Sequence, residues 1–270
     1  MLRSEFHNFF AHTKPVIGMV HLKPLPGSPR YSGNRDEVFQ AALADARTLE
    51  ENGIPAILVE NFGDAPFYHS QVPAETIAAM SAVVQFLKIQ CNIPIGVNVL
   101  RNDGYAAMAI ACTTGAGFIR INVLSGSAVT DQGIISSDAH RIARLRRNLG
   151  ADVKIFADIH VKHAMPLGNI PIKQAANELF ERARADAVIC TGAETGSSLN
   201  MNELARLREY LPERPFVAGS GVTAANVTSI FELADAAIVG TYFKVDGKVN
   251  NPVDPERVQR FVKKTNLLKF

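Results

Sequence analysis

Short apolar segments alternate with amphipathic segments along the whole chain. Several of the apolar segments are rich in β-branched residues, which is typical of parallel strands that are buried on both faces. They occupy residues 16–20, 55–60, 94–99, 117–122, 152–159, 186–190, 214–220 and 236–240. The amphipathic segments between them predict helices over residues 36–51, 74–90, 103–114, 138–148, 171–183, 199–210, 223–232 and 254–265.

Eight strand–helix units in about 250 residues are the length and order of a (β/α)8 TIM barrel, a fold of the α/β class. A doubly wound sheet is the alternative, but that fold usually has fewer strands and a glycine fingerprint after the first strand. The segment HLKPLPGSP that follows the first predicted strand contains no such fingerprint. We therefore expect one domain over residues 1–270, in which a helix within 1–13 covers the barrel bottom and 14–270 form the barrel.

The composition excludes several classes of protein. Hydrophobic residues make up 47% of the 270 residues and charged residues 20%, which argues against disorder. The net charge of +2 is too small for a nucleic-acid-binding surface. No apolar run has the ~20 residues of a membrane-spanning helix, and the start of the chain lacks the apolar core of a signal peptide. Three cysteines without metal-ligand spacing fit the reducing cytoplasm, which is the expected location.

Polar and ionisable side chains follow several of the predicted strands, where a TIM barrel carries its active site. Proton transfer needs an acid and a base, and Asp158 and His21 are the first candidates, with Glu60 as a second base. The alternative is that these side chains only face water in loops. The remaining polar residues would orient substrate oxygens or form hydrogen bonds. The full set of candidate catalytic residues is His21, Glu60, Asn98, Arg120, Asn122, Asp158 and His160.

Glycines near the ends of the last strands predict a phosphate site. Glycine lets a backbone approach an anion closely, and the N-terminus of a helix directs N–H groups towards it. In this fold, phosphate binds at the loops after strands seven and eight. The alternative is that the glycines serve only tight turns. The predicted phosphate-binding residues, next to a helix that Thr223 would cap, are Gly192, Gly219, Ser220, Gly221, Gly240, Thr241 and Lys244.

Three further segments leave alternatives open. The proline-rich loop over residues 21–35 is either a wall of the substrate site or a structured turn, and the loop over 123–137 is either a lid or simply mobile. Asp158, His160 and His163 could bind a divalent metal ion, although a hydrogen-bonding role is favoured. No other cofactor is expected.

Seven motifs spread almost from end to end make the chain resemble the BtpA/SgcQ family. The motifs are MVHLKPLPGSPRY (19–31), GVNVLRND (96–103), FIRINV (118–123), FADIHVKHAMPLG (156–168), TGAETG (191–196), VAGSGVTAANV (217–227) and IVGTYFKVDGKVNNPVD (238–254).

The resemblance implies a barrel enzyme that is distantly similar to phosphoribosylanthranilate isomerase and other phosphate-binding barrels. It also implies a different biology. The founding cyanobacterial member is tied to the biogenesis or stability of photosystem I and associates peripherally with thylakoid membranes, and other relatives are encoded near sugar-uptake genes. Peripheral membrane association is therefore an expectation from the resemblance alone.

The leading functional hypothesis is a cytoplasmic enzyme that acts on a small phosphorylated, sugar-derived substrate. Proton transfer next to a carbonyl or imine would make it an isomerase, an epimerase or a lyase of the retro-aldol type. The alternatives are a non-catalytic assembly or stability factor for a membrane complex such as photosystem I, and a regulator that binds a phosphorylated metabolite. The expected partners are the small substrate and further copies of the chain, with no nucleic acid.

Overall fold

The apolar segments form a closed barrel of parallel strands in the computed structural model, which describes residues 1–159, 164–191 and 199–268. Within those ranges the barrel has eight strands, and its closure comes from β1, which pairs with both β2 and β11. Going round the barrel from β1, the order is β2, β3, β4, β7, β9, β10 and β11. Their bounds are β1 Val16–His21, β2 Ala56–Glu60, β3 Ile95–Asn98, β4 Phe118–Ile121, β7 Lys154–Asp158, β9 Ala187–Thr191, β10 Phe216–Gly219 and β11 Ala236–Val239.

Helices connect successive barrel strands, as the amphipathic segments predict. A short helix, α1, precedes β1, which confirms the expected addition at the start of the chain. None of the described helices is both long and apolar enough to cross a membrane. The helices are α1 Arg3–Phe10, α2 Arg35–Glu51, α3 Ala74–Gln90, α4 Gly104–Thr114, α5 Ala139–Asn148, α6 Ile172–Asn177, α7 Met201–Tyr210, α8 Val227–Leu233 and α9 Pro255–Asn266.

The alternation of side chains along each strand creates two apolar cores. Outward-facing side chains such as Val20, Val59 and Val97 pack against the helices in the larger core. Inward-facing side chains such as Leu58 and Ile189 fill the inside of the barrel in a separate cluster. Because the strand period is two residues, the next inward positions beyond this cluster lie at the carboxyl ends of the strands. Those positions form the mouth of the barrel.

Helix α1 covers the opposite end of the barrel with phenylalanine side chains. Phe6 and Phe10 are buried, and their ring centroids lie 5.6 Å from Phe156 and 5.8 Å from Phe118, respectively. Arg3 anchors the helix by donating a hydrogen bond of 2.7 Å from Nε to the fully buried carboxylate of Asp235. The helix therefore belongs to the packed core of the barrel.

The loop over 123–137, predicted to be a lid or mobile, contains a β-hairpin. Its strands are β5 Ser127–Thr130 and β6 Gly133–Ser136, and β5 also pairs with β8 Ala164–Pro166 in an antiparallel sheet. Ala128 and Ile135 are buried on the inner face of this sheet against Val123. This small apolar cluster gives the segment a core of its own. The mostly polar sequence of the loop does not indicate that core.

We expect Phe10→Ala to lower the free energy of unfolding by about 3–5 kcal/mol, because truncating a buried phenylalanine loses apolar burial and leaves a cavity. Urea denaturation followed by circular dichroism measures the change. Asn8→Ala, at an exposed position of the same helix, is the control and should change stability by less than about 0.5 kcal/mol. Equal, small losses in both variants would show that α1 does not stabilise the barrel.

Candidate active site at the barrel mouth

Four polar side chains stand side by side at the carboxyl ends of the first four barrel strands. In the strand register His21 pairs with Glu60, Glu60 with Asn98, and Asn98 with Arg120. Directly opposite residues on paired strands point to the same face of the sheet, so all four side chains face the inside of the barrel. Four of the predicted catalytic residues are therefore brought together in one row.

Arg120 and Asp158 form a buried ion pair beside that row. Arg120 donates from Nε to Oδ2 of Asp158 and from a terminal nitrogen to Oδ1, both at 3.0 Å, and Asn122 donates to Oδ2 at 3.0 Å. Burial by itself would lower the pKa of Arg120, but the charge of Asp158, its hydrogen bonds and the charge of Glu60 raise that pKa above its ordinary value. The guanidinium is a permanent positive charge at the mouth.

The carboxylate of Glu60 is held in one orientation by its neighbours. Asn98 donates from Nδ2 to Oε2 at 2.5 Å, and Nε2 of His21 lies 3.9 Å from Oε1. Of the first two acid–base candidates, His21 lies beside Glu60, and Asp158 contacts Arg120 and Asn122. The reason is register: His21 and Glu60 are direct neighbours on adjacent strands.

A cavity of about 280 Å³ joins this row to the glycine-containing loops, and we call it the mouth cavity. Its lining includes His21, Glu60 and Arg120 from the first strands together with loop residues that follow β10 and β11. A Cβ atom on Gly240 would lie 3.1 Å from Cε1 of His21, so the loop packs directly on the imidazole. The loop residues that line the cavity include Ser220, Gly221, Gly240 and Thr241.

Several backbone N–H groups of these loops have no hydrogen-bond partner among the described residues. Those of Gly221, Val222, Gly240 and Thr241 make no hydrogen bond to the residues that the structure describes. Ser220 has the unusual positive φ of +88° for a residue with a side chain, and its buried Oγ likewise has no partner within the described ranges. Such a backbone conformation costs about 1–3 kcal/mol and is found mostly at functional sites.

The helix beside the predicted phosphate site begins later than predicted, and Gly219 has a packing role. Helix α8 begins at Val227 rather than at Thr223, and the N–H of Thr223 is occupied by Oδ1 of Asn226 at 2.8 Å. The residue at the N-cap position of α8 is Asn226, and no side chain caps the helix there. Gly219 serves packing, because a Cβ atom on it would lie 2.6 Å from Cγ2 of Ile189 on the next strand.

Lys244 does not belong to the mouth. Its side chain is 1% exposed, and its ammonium forms an ion pair of 2.5 Å with Asp45 of α2. Asp45 also accepts a hydrogen bond from the N–H of Val253. The lysine therefore ties the segment after β11 to α2, and it does not line the mouth cavity.

Arg257 is the cationic residue that the sequence analysis missed. It lies in the first turn of α9, lines the mouth cavity with Gly221 and Thr241, and donates from Nε to the carbonyl oxygen of Tyr242. That hydrogen bond is the one side-chain bond of Arg257 found among the described residues, and a guanidinium carries five N–H donors. No local motif marks this arginine, because only the packing of α9 against the loop after β11 brings it to the site.

Arg101, directly after β3, adds a second buried cation near the row. It is 9% exposed. Burial lowers the pKa of its guanidinium, and the carboxylates of Asp158 and Glu60 oppose that shift. Two arginines and two carboxylates thus share the mouth, and their opposite charges allow this burial.

Two of the predicted site residues, His160 and Gly192, lie outside the described residues, as does His163 of the predicted metal set. Among the residues that are described, no group of three histidine, cysteine, aspartate or glutamate side chains could hold a metal ion. Metal binding by Asp158 with the two histidines stays a prediction.

The cysteines are not nucleophiles at neutral pH. All three are free thiols. Burial raises the pKa of Cys190 to about 12 and that of Cys91 to about 11, with negative neighbours contributing to both shifts. Because the thiolate is the reactive form, these groups are inert near pH 7.

A closed parallel barrel of eight strands with helices between them and ionisable side chains at its mouth defines a TIM-barrel protein. The chain belongs to the BtpA family, whose model matches residues 12–267. A relative from Thermococcus kodakarensis is 48% identical over 92% of this chain and 94% of that protein. The photosystem I biogenesis protein BtpA of Synechocystis is 42% identical, over 95% of this chain and 89% of its own. The sgc region protein SgcQ of Escherichia coli is 33% identical over 94% of both chains.

Solved structures of two other proteins superpose on this chain with the same fold. N-(5′-phosphoribosyl)anthranilate isomerase from Pyrococcus furiosus superposes with a TM-score of 0.55 at 12% identity, covering 94% of this chain and 100% of that one. KGPDC from Streptococcus mutans superposes with a TM-score of 0.57 at 11% identity, covering 94% of this chain and 98% of that one. At such low identity these matches confirm the TIM-barrel fold.

We expect Asp158→Asn to lower the free energy of unfolding by about 3–5 kcal/mol, because it leaves the buried charge of Arg120 without its partner. Asp138→Asn is the control: it breaks an ion pair with Arg141 at the surface, where the loss should stay below about 1 kcal/mol. Urea denaturation of both variants measures the difference. Similar small effects would contradict a structural role for the buried pair.

Proposed function

We propose that this protein is an enzyme that acts on a small, sugar-derived phosphorylated metabolite by acid–base proton transfer. The mouth cavity carries the proposal, because one space of about 280 Å³ is bounded by a carboxylate, an imidazole and a guanidinium on one side and by open N–H groups on the other. Such a cavity fits a substrate that has a reacting carbonyl at one end and a phosphate at the other.

Phosphate binding is assigned to the loops after β10 and β11. The N–H groups of Gly221, Val222, Gly240 and Thr241 and the hydroxyl of Ser220 are donors without partners among the described residues. Arg257 supplies the positive charge that Lys244 does not. Charge-assisted hydrogen bonds from a guanidinium to phosphate are among the strong ones in proteins.

Glu60 and His21 are the proposed acid–base pair. The Glu60 carboxylate removes the proton from the carbon next to the substrate carbonyl, while the imidazolium of His21 gives a proton to the carbonyl oxygen, which yields an enediol. Glu60 then returns its proton to the former carbonyl carbon, and the hydroxyl on the other carbon of the enediol gives its proton to His21. These two transfers complete an aldose–ketose isomerisation. Arg120 stabilises the developing oxyanion, and Asp158 acts as a positioning residue for Arg120.

The position of the two groups favours isomerisation within this class of reactions. His21 and Glu60 lie on neighbouring strands and approach a substrate from one side of the mouth. Removal and return of a proton on one face of an enediol needs one base, whereas epimerisation by two bases needs groups on opposite faces. Epimerase and lyase chemistry remain the alternatives for the same carboxylate.

Buried amide oxygens offer places for the hydroxyl groups of a sugar. Oδ1 of Asn98 and Oδ1 of Asn122 accept no hydrogen bond from the part of the chain that the structure describes. An unpartnered buried acceptor costs about 1–3 kcal/mol, which a hydroxyl donor would recover. Their companion nitrogens hold Glu60 and Asp158, so a bound hydroxyl would lie beside the charged groups.

A second candidate is a non-catalytic assembly factor for a membrane complex, after the name of the Synechocystis relative. The observation that favours it is a row of exposed apolar side chains, Ile134, Val129 and Met165, which face one another across the sheet of β5, β6 and β8. Catalysis has the stronger support, because a scaffold does not require a row of ionisable groups inside the barrel mouth. The cytoplasmic location and the homo-oligomeric state stay predictions.

The proton-transfer step is tested by solvent exchange. The protein is incubated in deuterium oxide with ribose 5-phosphate, ribulose 5-phosphate and glucose 6-phosphate, and proton NMR follows the loss of the C–H signal next to the carbonyl. We expect exchange with at least one of them and a loss of about a hundredfold or more in Glu60→Gln and in His21→Gln. Glu51→Gln and His140→Gln, at exposed helix positions, are the controls.

Binding without exchange in the wild-type protein would contradict catalysis and favour a regulator that binds phosphorylated metabolites. Neither binding nor exchange would favour the assembly factor.

The phosphate site is tested by isothermal titration with inorganic phosphate and with ribose 5-phosphate. We expect Arg257→Gln to weaken both ligands about tenfold, since a hydrogen bond from a charged donor contributes about 1.5–3 kcal/mol. Arg260→Gln, at an exposed position on the same helix, should bind both as the wild type does. Equal affinities in the two variants would remove Arg257 from the site.

A further inference from the structure

A second and larger cavity adjoins the mouth cavity. It has a volume of about 550 Å³ and lies between the loop over 21–35, helix α2 and the segment over 249–252. We call it the α2 cavity, and its apolar lining includes Leu22, Val38, Ala41, Ala44, Phe62 and Val249.

Three side chains line both cavities: His21, Phe62 and Val249. The ring of Phe62 packs on the imidazole of His21, with centroids 5.0 Å apart and planes inclined by 57°. A group that leaves the mouth cavity past His21 therefore meets an aromatic face first. The proposed acid–base residue lies at the boundary between the two spaces.

Most of the charged side chains that line the α2 cavity are paired with one another, which favours an apolar group in it. The charges at Lys244 and Asp45, which line it, neutralise each other in their ion pair. At its rim Lys23 is paired with Glu37, and Glu37 also accepts from the hydroxyl of Ser32.

Arg30, which donates to the carbonyl oxygen of Gly63, and the amides of Asn250 and Asn251 also line the α2 cavity. The rest of the lining is aliphatic and aromatic surface.

Size points in the same direction. A cavity of about 150 Å³ is enough to bind benzene, so 550 Å³ leaves room for one or two rings. The mouth cavity, at about 280 Å³, lies just below the range of about 300–1,000 Å³ usual for complete ligand sites. A bare sugar phosphate would fill the mouth cavity and leave the larger apolar space beside it empty.

We propose that the α2 cavity binds a ring-sized apolar substituent of the substrate, so that the substrate class is a sugar phosphate that carries such a substituent. This inference rests on the proposed function, because the phosphate in the mouth cavity sets the direction of the substituent. Phe62 then contributes to specificity by stacking on the ring.

Isothermal titration compares ribose 5-phosphate with adenosine 5′-monophosphate and uridine 5′-monophosphate, which contain the same ribose phosphate and add a ring at C1. We expect at least one nucleotide to bind about tenfold or more tightly than ribose 5-phosphate, because burial of a ring adds apolar contact area.

Ala41→Leu and Ala44→Leu test where the ring lies. Both alanines face the cavity from α2, so each leucine fills part of it, and two variants guard against a folding defect in either one. We expect both to abolish the advantage of the nucleotide and to leave the affinity for ribose 5-phosphate unchanged. Ala78→Leu, at an exposed position inside α3, makes the same change outside the cavity and should preserve the advantage.

The possible failures are distinguishable. Ribose 5-phosphate that binds as tightly as both nucleotides would overturn the substituent site and leave the proposed function standing. An advantage that persists in both α2 variants would also overturn it. If none of the three phosphates binds, the phosphate site itself is wrong, and the proposed function fails together with this inference.

Discussion

Hydrogen bonding between β1 and β11 closes the sheet, and the rest of the molecule depends on that closure. An open sheet of eight strands would carry two free edges, whereas in the closed barrel each strand, β1 included, has two neighbours. Closure also brings the carboxyl ends of all the barrel strands to one rim. The glycine loop after β11 consequently meets the first strand, and Gly240 packs on His21 although the two residues lie near opposite ends of the chain.

The two ends of the barrel serve different purposes. At the bottom, Phe6 and Phe10 of α1 pack on Phe118 and Phe156, so that end is filled with apolar side chains. At the mouth, the same alternation places Arg120 two residues after Phe118 and Asp158 two residues after Phe156. Apolar packing below stabilises the barrel, while the charged groups above are buried at a cost that their mutual pairing offsets.

The ionisable groups of the mouth form two pairs on neighbouring strands. Both oxygens of Asp158 are occupied by Arg120 and Asn122, which makes that carboxylate a fixed support. Glu60 accepts from Asn98 at Oε2, and its Oε1 lies 3.9 Å from Nε2 of His21, the pair proposed for proton transfer. The α2 cavity is lined by the same histidine, which links the proposed acid–base pair to the space proposed for the rest of the substrate.

The sequence by itself determined the fold and most members of the site, because strand periodicity and strand order are local properties and a closed barrel leaves one rim for the polar ends. It could also indicate the glycine loops, since a turn between strand and helix is a local feature. Only the tertiary structure decided which partners the charged groups take. The register set His21 beside Glu60, the packing of α2 took Lys244 away from the mouth, and the docking of α9 brought Arg257 to it. Each of these contacts joins residues far apart in the chain, and no local pattern encodes the distance between them.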